Sequence, residues 1–484
     1  MPATLIAAAP LVIVIVLIAS RRVGVLPAGA IGWVLAVTAA AMLRPELADL
    51  PRFALVETLR GAWLAWQAVA VILAGMFFYR TLRRHEAALF EAGAAPGNFS
   101  HRRLFAVCFL LGPFAETATG FGVGCIIAVA ALLRMGLSGI PAVVLALFSQ
   151  MLVPWGALAV GTMIGASLAG QSDSRLAFAS ALLSGPLLAG YLMIYWRSAA
   201  AAGHPVPIAQ RRDDALWTVF LALALAAASR VLPAELGCLA AAGGLLMLRY
   251  WRDERPDRAA FRQTIGNAAP YAVLTLVLIA TRIVPPLAQG LRSVLVIAPF
   301  PDLPVFAVLY NPSFWLIAVA AGFILALGQV SELGTLLRET ARSGWRPAAI
   351  TLIFVATAQV LSAAGAARLI GAALQASLGS ATLLAAPLLG AVGGFLTGST
   401  SASNGMMMPV QAAMGTGGGL WPAAIQNTAA SNFTLLSPIR ISMALALAAP
   451  GTAEGAVYRT AWPIAVMLAL GLMTEAVILA LLPV

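Results

Sequence analysis

Glu116 is the residue whose type and setting most invite chemistry. It lies in LGPFAETATGFGVGCIIAVAALL, residues 111–133, an apolar run that also holds Thr117, Thr119, Gly120, Gly122 and Gly124. A carboxylate at membrane depth is costly unless it is protonated, paired or facing water, and such residues mark substrate or proton paths. Two roles are open to it. Desolvation disfavours its charged form, so it can take up and release a proton. Alternatively it caps a half-helix N-terminus, accepting backbone N–H bonds and complementing the dipole. The neighbouring threonines can cap in its place, which favours the proton role. Thr117, Thr119 and Gly120 are candidates for substrate contact. The glycine spacing suggests a nucleotide loop only superficially, because no strand precedes it.

A second polar patch, FLTGSTSASNG, supplies Thr397, Ser399, Thr400, Ser401, Ser403 and Asn404. Hydroxyls, an amide and the free N–H groups of a half-helix can hold a carboxylate without a full countercharge, although small hydroxylated residues also serve helix packing. A third patch, QNTAASNFT, offers Gln426, Asn427, Ser431 and Asn432, amides that need partners at membrane depth. Arg440 follows Ser437 and Pro438. Its planar fork suits bidentate binding of a carboxylate; snorkelling at a helix end and pairing with Glu116 are the alternatives. Glu475 lies in the last apolar span as a candidate bundle-interior acid.

These residues must be positioned by membrane-embedded helices. The chain of 484 residues is 61% hydrophobic and 10% charged, with mean hydropathy +0.94, more apolar surface than a soluble core can hide. The net charge of +11 comes from arginines in short stretches between apolar spans, and none of the basic residues is lysine. That distribution matches the positive-inside rule and not nucleic-acid binding. Cys108, Cys125 and Cys238 have no paired spacing, so neither disulfides nor a metal site is expected. His85, His101 and His204 are expected in loops, leaving no histidine proton relay. No nucleophile–base set appears, so the chain does not read as an enzyme and calls for no cofactor.

Residues 5–20, 23–43 and 62–79 are each about long enough to span hydrocarbon. The first reads as a retained span, not a cleaved signal. Arginines in an expected loop at 80–103 place that loop in the cytoplasm and the N-terminus outside. Residues 104–196 are interrupted by Pro113, glycines, Pro141, Pro154 and Gly156, predicting broken or re-entrant helices, which occur only where backbone is buried in protein or lines a cavity. Spans follow at 215–229 and 232–248, then a basic loop from Arg249 to Arg262. The second half predicts spans at 269–283 and 314–327, an arginine loop at 338–346, a span at 348–366, and a region at 381–447 broken by Gly393, Gly394, Gly398, Gly405, Pro409 and Pro438. A last span covers 462–482.

Gly112, Phe114 and Thr119 match Gly393, Phe395 and Thr400 at one constant offset. The two halves enter the membrane from opposite sides, so the expected fold is an all-α polytopic membrane protein with inverted-topology repeats and re-entrant helices. Its parts are a first repeat at 1–200, connecting helices and a basic loop at 201–262, and an inverted second repeat at 263–484. This architecture suits a secondary transporter of a small organic anion. A passive carboxylate channel and sodium coupling at broken helices are the rival readings.

FAETATGFG and FLTGSTSASN resemble stretches of the L-lactate permease family, and GAWLAWQAVAVILAGMFFYRTL, YNPSFWLIAVAAGFILAL and QNTAASNFTLLSP also resemble segments of that family, these three in the same order. The resemblance implies proton-coupled uptake of small 2-hydroxy monocarboxylates such as lactate and glycolate across a bacterial inner membrane. It places the motif's acid on Glu116. Similarity to the wider ion-transporter superfamily implies inverted repeats, re-entrant hairpins and an elevator motion; alternating access is the transport mode expected of such a site, and a homodimer is a family-level expectation. The chain departs from the family pattern around Ser149 and Gln150, where asparagine is usual, and at Thr434, where lysine is usual. Arg440 is the unexpected charge nearby. The expected roles are therefore proton coupling by Glu116, and substrate binding by residues of the 397–404 stretch, Asn427 and Arg440.

Overall fold

Lipid offers backbone groups no hydrogen bonds, so a chain of this composition must pair its N–H and C=O groups within helices. The computed structural model describes residues 2–91, 99–414 and 419–481, and these are helical apart from turns and one two-residue antiparallel hairpin. Among the described residues, 7 helices are long and apolar enough to cross a membrane, or up to 10 if each bent pair is one span. The protein is an all-α polytopic membrane protein.

Helices α1 (Pro2–Ala19), α2 (Val25–Leu43) and the long α3 (Leu50–Glu91) lead the chain. Next, α4 (His101–Ala106) passes through a π-helical turn, Val107–Leu111, into α5 (Gly112–Thr119), and α6 (Val123–Arg134) follows a glycine break. The bent pair formed by α7 (Gly139–Leu147) and α8 (Gly156–Ala169) is joined by short 3₁₀ turns and precedes α9 (Asp173–Ala201). The connecting pair is α10 (Ile208–Val231) and α11 (Ala234–Glu254). The second half runs through α12 (Arg258–Ile283), α13 (Pro285–Ser293), the hairpin of β1 (Val296–Ile297) and β2 (Phe306–Ala307), α14 (Pro312–Ala326), α15 (Leu333–Ala363) and α16 (Ala366–Leu378). It ends with α17 (Ala385–Thr397), α18 (Thr400–Ala413), α19 (Leu420–Thr434), α20 (Pro438–Ala448) and α21 (Glu454–Leu481). The offset that carries Gly112 to Gly393 also carries the first residue of α7 to that of α19, and the first residue of α9 to that of α21.

Several expected boundaries are corrected. The broken region ends at α8, because α9 is one continuous helix that absorbs Pro186. Of the residues expected to break the second half, Gly398 and Pro438 stand at interruptions of the backbone, whereas Gly393, Gly394, Gly405 and Pro409 lie inside helices. Proline and glycine inside a helix are tolerated where neighbouring helices satisfy the freed groups. The expected arginine loop at 338–346 is the first part of α15, and Arg80 lies on α3. Arg249 and Arg252 end α11, while Arg258 and Arg262 begin α12. Arginine is a good helix former whose long stem carries its charge to a helix end. His85 lies on α3 and His101 opens α4, so of the three histidines only His204 is in a loop. Residues 92–98 of the expected loop at 80–103, and Leu482, lie outside the described residues.

Glycines set the closest helix approaches, as expected where association depends on small-residue packing. A Cβ on Gly61 would stand 2.5 Å from Ala356 Cα, fixing how α3 packs on α15, and a Cβ on Gly394 would stand 2.0 Å from the carbonyl oxygen of Ala430 between α17 and α19. Backbone cannot yield as a side chain does. Gly394→Ala is therefore expected to exceed the ~1–3 kcal/mol usual for overpacking and to abolish monodisperse protein in size-exclusion chromatography. Gly322→Ala on α14, where nothing lies within 4 Å, should leave the profile unchanged.

Candidate functional site

The site is built where α5, α6, α8, α18, α19 and α20 begin or end. Helix α5 stops at Gly120, whose φ of 73° and ψ of −166° lie in a region open essentially to glycine. Gly122, left-handed at φ 84°, then starts α6. The turn folds α6 back on α5 closely enough that a Cβ on Gly124 would lie 2.3 Å from the Gly112 carbonyl oxygen. That closeness presents the N-terminus of α6 to the side chain of Glu116.

Glu116 is 2% exposed. Its Oε1 accepts the Gly122 N–H at 3.0 Å, and its Oε2 accepts the Gly124 N–H at 3.0 Å. Gln150 Nε2 donates to the same Oε2 at 3.1 Å. Arg440 Nη2 stands 3.5 Å from Oε1, and Arg440 is 7% exposed. Glu116 thus caps α6 and is ion-paired at once. Arg440 lies in the first turn of α20, whose N-cap Ser437 accepts the Arg440 N–H. Its side chain passes Gly122, where a Cβ would be 2.4 Å from Nη1. Arg440 is therefore turned into the protein, not out to a membrane interface.

Helix α8 separates this ion pair from the amide patch. It begins with an unusual turn: Ala157, Leu158 and Ala159 are all left-handed, with φ of 51°, 55° and 61°. Such residues cost roughly 1–2 kcal/mol each and persist only where packing over-determines them. Gly120 supplies part of that packing, since its Cβ would come 2.4 Å from Ala157 Cβ. On the other side, Gly161 and Gly165 let α18 approach, a Cβ on each falling 2.8 Å from Thr400 Cβ and from Asn404 Nδ2, respectively.

Across that contact the amides bond to one another. Asn404 Nδ2 donates to the Gly161 carbonyl at 2.9 Å and to Asn427 Oδ1 at 2.8 Å. Asn427 Nδ2 donates to Thr162 Oγ1 at 2.9 Å and Ser180 Oγ at 3.0 Å. Gln426 Nε2 donates to Ser403 Oγ at 3.2 Å, and its Oε1 accepts from Gln411 at 2.9 Å. Thr400 donates to Ser431 Oγ at 3.1 Å. Buried amides at this depth would each be costly alone; as a network they join α8, α9, α18 and α19.

The candidate residues therefore divide. Glu116, Gly120 and Arg440 come together around the α5–α6 turn. Thr400, Ser403, Asn404 and Asn427 form the network beyond α8. Thr117 and Thr119 donate to the carbonyls of Pro113 and Ala115 within α5, and Thr397 and Ser399 satisfy the break at Gly398. Ser401 is buried on α18. Gln150, Thr162 and Ser180 lie in none of the polar patches; the signals for Gln150 are an amide in the apolar run before Pro154 and the departure from the family pattern around that position. Glu475 is 8% exposed on α21. Among the described residues no group of three His, Cys, Asp or Glu side chains could hold a metal ion.

Comparison with curated proteins finds no match to the chain. The family model described as L-lactate permease matches residues 291–484, the part that supplies Thr400, Ser403, Asn404, Asn427 and Arg440. Over residues 291–484 the chain is therefore similar to the L-lactate permease family.

Proposed function

We propose that the protein is a secondary active transporter that carries a small 2-hydroxy monocarboxylate, lactate- or glycolate-like, together with a proton by alternating access. The observation that carries this reading is the buried pair of Glu116 and Arg440 at two helix breaks. A substrate carboxylate competes with Glu116 for the guanidinium. Once displaced, Glu116 takes a proton, because two anions beside one cation would leave a net buried charge, which is costly. Empty, the site holds one negative and one positive charge; loaded, it holds a neutral acid, Arg440 and the substrate anion. Both states are neutral and can cross, whereas the unprotonated loaded state is held back, which couples the two fluxes.

Two inverted repeats at 1–200 and 263–484, joined by 201–262, would supply the two-sided access. The shared offset of α7 with α19 and of α9 with α21 supports this. We place the protein in a bacterial inner membrane with its N-terminus outside; the arginine-rich helix ends support the sidedness alone. Arg21 after α1 stands 3.8 Å from Glu454 at the start of α21, and Arg103 on α4 pairs with Glu254 at the end of α11 at 2.6 Å.

The test is uptake of labelled lactate into proteoliposomes under an imposed inward proton gradient, with membrane potential clamped and sodium present or absent. The expected result is accumulation driven by the proton gradient, unaffected by sodium and insensitive to potential. Dependence on sodium, or dissipation without accumulation, would replace this reading with the sodium-coupled or channel one.

A further inference from the structure

We infer that Gln150 reads the 2-hydroxyl of the substrate, an assignment that rests on the transport function proposed above. Gln150 ends a 3₁₀ turn in the bend between α7 and α8 and is 0% exposed. Its Nε2 donates to Glu116 Oε2 at 3.1 Å and to Ser149 Oγ at 3.1 Å. Its Oε1, buried, has no hydrogen-bond partner. Buried acceptors are rarely left this way, and each exception asks for a cause.

Turning the amide over does not remove the problem. Glu116, as a carboxylate, only accepts hydrogen bonds, so Oε1 in the place of Nε2 would set two acceptors 3.1 Å apart. The orientation is therefore fixed by Glu116, and the spare acceptor is held in the same side-chain amide that touches the carboxylate. Arg440 approaches Oε1 of Glu116 and Gln150 approaches Oε2. An anion that takes Arg440 from Glu116 thus arrives next to Gln150.

A 2-hydroxy acid carries an O–H donor on the carbon next to its carboxylate. With the carboxylate on Arg440, that hydroxyl can donate to Gln150 Oε1. Propionate has no oxygen there, and pyruvate has an acceptor that would meet another acceptor. One buried hydrogen bond of this kind corresponds to a preference of about tenfold for the hydroxy acid.

The test is competition against labelled lactate exchange in proteoliposomes by unlabelled lactate, propionate, pyruvate and 2-fluoropropionate. For the wild type, propionate, pyruvate and 2-fluoropropionate should each need about ten times the concentration of lactate. In Gln150→Leu the lactate-to-propionate ratio should fall to near one, whatever loss of the hydrogen bond to Glu116 does to exchange as a whole. A variant that weakens both acids equally, keeping the ratio, would mean Gln150 only supports Glu116 and would overturn the inference. If Gln150→Leu does not assemble, the wild type decides: 2-fluoropropionate resembles lactate in shape but cannot donate, and equal competition by it would overturn the inference. Failure of every one of these acids, lactate included, to exchange or compete would instead overturn the transport reading and this one with it.

Discussion

Glu116→Gln should lose proton-driven accumulation completely while retaining lactate exchange. The amide cannot serve the site as the carboxylate does. It offers one acceptor and one NH₂ group, so one of the N–H donors of Gly122 and Gly124 would face another donor. Arg440 fares worse. Among the described residues Glu116 is the one carboxylate within ion-pair distance of it, and removing one partner of a buried pair costs ~3–5 kcal/mol. The purified variant should therefore melt well below the wild type. Lactate should restore much of that loss, because on the proposed mechanism its anion becomes the counterion for Arg440 and a ligand stabilises the state it binds. Thermal unfolding with and without lactate, beside uptake and exchange assays, checks all three outcomes. Intact accumulation by the variant would remove Glu116 from the coupling role.

Arg440→Gln should behave differently although it breaks the same pair. Uptake should fall by two orders of magnitude or more, and no lactate-dependent thermal shift should remain, because the cation proposed to attract the substrate is gone. Yet folding should suffer less than in Glu116→Gln. The stranded carboxylate keeps three donors, the N–H groups of Gly122 and Gly124 and the Gln150 amide, and hydrogen bonds to a charged group are each worth ~1.5–3 kcal/mol. It also keeps the positive end of α6, worth up to ~2 kcal/mol in buried geometry. The double variant Glu116→Gln/Arg440→Gln should be more stable than Glu116→Gln alone, since it no longer buries an unpaired guanidinium. Equal destabilisation by both single changes, with no recovery in the double, would show that the 3.5 Å approach carries no energetic coupling.

The connection between these residues was only partly legible in the chain. An acid and a cluster of glycines inside an apolar run announce themselves, since each is costly in lipid unless the fold uses it. The break at Gly120–Gly122 and the one before Pro438 follow from the same local logic. The glycines at 393 and 394 mislead, because their purpose is the close approach of α17 to α19 and not a break. That purpose depends on a neighbour far away in sequence. The left-handed turn at Ala157, Leu158 and Ala159 gives no sign at all, since alanine and leucine are good formers of right-handed helix.

The signals legible along the chain are local: helices in lipid, an expensive acid, hydroxyl and amide patches, and arginines gathered at helix ends. Hydropathy, periodicity and the cost of burying a polar group are properties of a residue and its near neighbours. The tertiary structure alone decided that Arg440 meets Glu116, that Asn427 turns to Asn404 and Thr162, and that Gln150 lies beside the carboxylate with its oxygen unpartnered. Each of these joins segments distant in the chain, and the energy that selects them comes from packing, through glycine faces that carry no label of their own partner.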